Sequence, residues 1–66
     1  MKIKTVVRTE TDRVMVFDHR GEQITRYQGK YDDVRDLILR DAPPEAVFTA
    51  GYTDTGELQT QRREEW

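Results

Sequence analysis

Sixty-six residues, 7.8 kDa, a formal net charge of −2 and no cysteine set the first limits. Such a chain makes a single domain, residues 1–66, near the smallest size that folds alone, with too little material to wall a deep two-lobed active site. Lacking cysteine, it has neither a disulfide scaffold nor a thiolate metal centre.

Residues 3–8 read as a strand, with Ile3, Thr5 and Val7 on one face and Lys4, Val6 and Arg8 on the other. A polar break over 9–12 leads to a second strand at 13–17. There Val14 and Val16 point one way and Met15 and Phe17 the other, the pattern of a strand covered on both sides. Asp18-His19-Arg20-Gly21 fits a type I turn closed by a left-handed glycine. Residues 23–28 then read as a third strand, with Ile24 opposite Thr25 and Tyr27.

Beyond Lys30 the apolar period changes from two to 3.6. Tyr31, Val34, Leu37, Ile38 and Ala42 form a stripe, with Asp32 or Asp33 as N-cap and Arg40 in the last turn. Pro43-Pro44 stops this helix after about ten residues. A fourth strand follows at 46–52, with Ala46, Phe48, Ala50 and Tyr52 on one face. The turn 53–56 and a weaker fifth strand at 58–62 complete the chain. The expected fold class is α+β, in the order β-β-β-α-β-β, with a mainly antiparallel sheet and a single helix packed on one face.

Mean hydropathy is low at −0.92, yet the net charge is small and the chain holds one Trp, three Tyr and two Phe, which suits a folded domain. The apolar runs 14–17 and 37–39 are far too short to span a membrane. Residues 1–4 contain no signal-type segment, so residence in the cytoplasm is expected. Charge is unevenly divided. Residues 1–30 carry seven Lys or Arg against four acids, and residues 31–66 carry four against nine.

No catalytic constellation emerges. His19 is the sole histidine and lies at a predicted hairpin tip, and serine and cysteine, the usual acyl-transfer nucleophiles, are both absent. Asp32, Asp33, Asp36 and Asp41 gather along the helix without calcium-loop spacing, and N-capping and dipole effects account for acids there. Gly21, Gly29, Gly51 and Gly56 form no phosphate-binding fingerprint. The expectation is therefore no enzyme, no metal site and no cofactor.

Two surfaces remain. One helix covers one sheet face, so the second face needs cover from a protein partner, most simply a homodimer, or from the C-terminal segment folding back. The candidate interface comprises Val14, Met15, Val16, Phe17, Val47 and Trp66. For Trp66, packing on its own sheet competes with a partner role. The alternative is weak single-stranded nucleic-acid binding through Lys4, Arg8, Arg13, Arg26, Tyr27 and Lys30, a cationic set with one aromatic for stacking. A pI near 5.3 opposes it.

VFDHRGEQ, YQGKYDDVRDLILRDAPPEAVF, the turn TDTGEL and the ending REEW together resemble a family of small uncharacterised bacterial proteins, a domain of unknown function. The resemblance spans nearly the whole chain. It implies a compact α+β domain and assigns no functional residue.

Overall fold

A computed structural model describes residues 2–51 and 58–66. Its elements run β1 (Thr5–Arg8), β2 (Arg13–Phe17), a 3₁₀ turn (Thr25–Tyr27), β3 (Gly29–Lys30), α1 (Tyr31–Asp41), β4 (Val47–Gly51) and β5 (Leu58–Gln61). The predicted turn at 53–56 lies outside the described residues.

The β1–β2 connection shows how local chemistry sets tertiary geometry. Thr9 N–H donates to the Arg13 carbonyl at 2.8 Å, and Asp12 takes a positive φ of 59°, which a short polar side chain tolerates. That twist presents the Asp12 carbonyl to Tyr31 N–H, 2.8 Å away, and so pins the start of α1 to the hairpin. At the second hairpin Gly21 has φ 82° and donates to the Asp18 carbonyl at 3.0 Å, as the turn reading requires.

The sheet order is β3-β2-β1-β4-β5. β1–β2, β2–β3 and β4–β5 are antiparallel, but β1–β4 is parallel. The sheet is therefore mixed, which corrects the mainly antiparallel expectation. Three alternating strands followed by one helix leave β4 running in the same sense as β1. Because β2 is already flanked by β1 and β3, β4 takes the free edge of β1.

The predicted third strand, 23–28, is also corrected. It shrinks to a bridge between Gln23 and Phe17, a 3₁₀ turn and a two-residue strand. In a regular strand Ile24 and Tyr27, three apart, would face opposite ways. The 3₁₀ turn aligns positions i and i+3, and both side chains are buried. Two smaller corrections concern ends. Ile3 precedes β1 and joins the core with Val6 instead of alternating with it. The N-cap of α1 is Lys30, with no side-chain cap, so Asp32 and Asp33 sit in the first turn.

The core lies between α1 and one sheet face. Val34 and Ile38 pack with Val6, Val14, Val16 and Phe48, and Trp66 completes it. After β5 the chain turns, with Glu65 and Trp66 N–H groups donating to the Arg62 carbonyl. Trp66 then enters between Tyr31 and Phe48, edge-on to both rings at 5.1 and 5.0 Å. The C-terminal segment thus folds back on the helix side of the sheet. Among the described residues, no helix is long and apolar enough to cross a membrane.

Candidate interaction surface

Strand alternation and register sort the sheet residues into two faces. Val6 pairs with Val16 and with Phe48, placing all three beneath α1. On the opposite face, Val7 pairs with Met15 and Thr49, Thr5 with Phe17 and Val47, Thr49 with Thr60, and Arg13 with Lys30. Val7 and Thr49 form its shielded centre, while Met15 and Phe17 are half-buried. Val47, 38% exposed, is the large apolar residue most open to solvent among the described residues. Thr49 keeps this centre satisfied, because its hydroxyl donates to the Val6 carbonyl at 3.0 Å.

The predicted interface residues divide between these faces. Met15, Phe17 and Val47 come together on the open face. Val14 and Val16 are buried under the helix, and Trp66, 2% exposed, is part of that same core. Its indole N–H donates to the Thr49 carbonyl at 3.2 Å, and its own carbonyl accepts from the Tyr31 hydroxyl. Val7, Thr5 and Thr60 belong to the open face too. Sequence alternation put Val7 opposite Val6, but only the register brings it beside Met15.

The basic set does not converge. Arg8 lies on the helix side, its guanidinium 3.6 Å from the Tyr31 ring centroid and held by the Asp12 carboxylate at 2.8 and 3.0 Å. Tyr27 is buried, and its hydroxyl donates to Asp41 at 2.7 Å; the Arg26 guanidinium lies 5.8 Å from its ring centroid. Lys4 is exposed at the start of β1. Only Arg13 and Lys30 are direct neighbours, as register partners at one corner of the open face.

The perturbed acids have structural tasks. Burial pushes the Asp18 carboxyl up, but N–H groups of Glu22 and Arg20, at 3.0 and 2.8 Å, outweigh it and hold the group below its ordinary range. The Arg40 guanidinium, followed by the Tyr27 hydroxyl, holds Asp41 down at about 2. Lys2, 3.1 Å away, lowers Glu45. His19 is exposed at its hairpin tip, beside Lys2, Asp18, Arg20 and Glu22. No group of three or more potential metal-ligating residues occurs among the described residues. A groove of about 710 Å³ runs between the 44–48 and 60–64 segments, where Arg63 is committed to the Ala42 and Pro43 carbonyls.

Neither a protein-family model, a curated protein nor a solved structure matches this chain.

Proposed function

We propose that this chain is a non-enzymatic protein-interaction module whose working surface is the sheet face opposite α1. The observation that carries this reading is the apolar set Val7, Met15, Phe17 and Val47, which register places together on the face opposite the core, with Val47 38% exposed. Apolar side chains gathered on one open face gain free energy when a partner removes them from water. The titratable groups with shifted affinities support the same reading. Asp18, Asp41 and Tyr27 hold turns and helix ends in place instead of lining a common cleft.

A photo-crosslinking residue placed at position 17 tests this surface against the same residue at position 36. The Asp36 side chain is 96% exposed on the outer side of α1. Discrete protein adducts from position 17, exceeding those from position 36 and lost in Val47→Lys, are expected. Equal background from both positions would overturn the reading.

A further inference from the structure

We infer that Tyr31, Phe48 and the Thr49 carbonyl form an indole-recognising slot, that Trp66 occupies it as a ligand bound in cis, and that the slot takes an indole from another molecule once Trp66 is withdrawn. The slot lies on the helix side of the sheet, apart from the face that carries Val47, and so is independent of the interaction reading above. Its present occupant defines the chemistry. The Trp66 ring meets Tyr31 and Phe48 at 5.1 and 5.0 Å, with interplanar angles of 69° and 62°, the arrangement in which a positive ring edge meets a negative ring face. The indole N–H donates to the Thr49 carbonyl at 3.2 Å. Two aromatic walls and one buried acceptor select a flat apolar ring that carries a single N–H donor.

Walls and occupant belong to different parts of the fold. Tyr31 opens α1 and is fixed by groups other than Trp66. Its N–H donates to the Asp12 carbonyl at 2.8 Å, and its hydroxyl accepts from Arg35 Nε at 2.9 Å. The Arg8 guanidinium, itself held by Asp12, lies 3.6 Å from the ring centroid. Phe48 is the register partner of Val6 in the central strand β1, and the Thr49 hydroxyl donates to the Val6 carbonyl at 3.0 Å. Trp66, by contrast, belongs to a strap, residues 62–66, that forms neither helix nor strand. Arg62, Glu64 and Glu65 of the strap are exposed. Its fastenings are the indole, the Tyr31 hydroxyl bond to the Trp66 carbonyl, and the Arg63 bonds to the Ala42 and Pro43 carbonyls. A segment with so few buried contacts opens before the sheet that carries it. Lifting it leaves standing walls and a Thr49 carbonyl without its indole donor, which an incoming indole restores.

Titration of the full-length Trp66→Gly variant with indole provides the test. Its urea midpoint should rise with indole concentration, with a Kd on the order of 0.1–1 mM. Benzofuran keeps the shape but lacks the N–H, and should bind roughly fivefold more weakly or worse. If Trp66→Gly is unfolded in buffer alone, the same titration is run on the variant refolded by trimethylamine N-oxide. A midpoint indifferent to indole, or raised equally by benzofuran, would overturn the inference. The native chain supplies a second measurement. Hydrogen exchange should find the Trp66 indole N–H at least about tenfold less protected than the most protected β1 amides, because the strap lifts first. Equal protection would mean that the slot empties only on global unfolding, and would defeat the inference as well.

Discussion

Replacing Trp66 with alanine should remove a large share of the fold's stability, because Trp66 is the largest fully buried side chain among the described residues. Trp66 is 2% exposed and meets Tyr31 and Phe48 edge-on within 5.1 Å. Burying a side chain of this size removes about 200 Å² or more from water, worth roughly 5 kcal/mol as an upper bound. Measured Trp-to-Ala truncations in cores cost about 3–5 kcal/mol. A chain of 66 residues has roughly 3–10 kcal/mol to lose. Substitution, unlike truncation, keeps the carbonyl that accepts from the Tyr31 hydroxyl, so the loss reports on the indole alone. Trp66→Phe retains much of the ring packing but leaves the Thr49 carbonyl without the indole donor, at about 1–2 kcal/mol. Urea denaturation followed by far-ultraviolet circular dichroism reads all three proteins. Trp66 is the sole tryptophan, so its blue-shifted, quencher-protected emission in the native chain reports the same burial. A Trp66→Ala loss below about 1 kcal/mol, or red-shifted and freely quenched emission, would refute the argument.

Acid should destabilise the fold between pH 5 and 2. Asp18, Asp41 and Glu45 all favour the ionised form when folded, so their contribution is present above the ordinary values of 3.8 and 4.5 and is lost as pH falls through the lower folded values. Urea midpoints across that range should drop, and Asp41→Asn should flatten the lowest part; a flat profile in the native chain would sink the reasoning. Tyr27 is raised by its bond to Asp41 and then by burial, so its contribution is present at neutral pH and is lost as pH climbs through its folded value above 10. Thr49→Val removes a buried hydroxyl bonded to the Val6 carbonyl and should cost about 1 kcal/mol in the same denaturation assay. A stabilised variant would show that the bond contributes nothing. Gly21→Ala has free space around the added methyl, so its cost of about 1 kcal/mol comes from φ 82° alone. Gly29→Ala, at φ 150° and 3.5 Å from Val34, should cost at least as much, and a neutral result at both sites would contradict the backbone argument. Single-stranded oligonucleotides should show no retarded band at low salt, since Arg8 and Tyr27 are held on the helix side; a salt-sensitive complex would revive the basic surface.

The sequence carried the elements with a strong local signature. The helix begins two or three residues earlier than an Asp32 or Asp33 cap would place it, and the Asp12 carbonyl accepts from Tyr31 N–H there, a contact that no local rule describes. The Asp18–Gly21 turn held because aspartate and glycine fix it with bonds inside five residues. The third strand failed where periodicity misleads. Ile24 and Tyr27 must both reach the core, and a spacing of three satisfies that only if the backbone abandons the strand.

The parallel β1–β4 pairing was legible in principle, from direction counting instead of periodicity. Two reversals before the helix and no net reversal across it leave β4 aligned with β1, whose second edge was the free one beside the centre of the sheet. That register decides the candidate surface. Had β4 joined antiparallel at the far edge beyond β3, Val47 would not lie in line with Thr5 and Phe17, and the apolar residues would be scattered over a wider, wetter sheet. Trp66 follows from the same placement. With β5 returning beside β4, the chain after Gln61 reaches the helix side and fills the gap between Tyr31 and Phe48, so Trp66 packs in the core and not on the opposite face. The C-terminal segment and a partner were competing covers for one face in the sequence. In the fold the segment lies on the helix side, so the topology that places β5 beside β4 also brings Trp66 into the core.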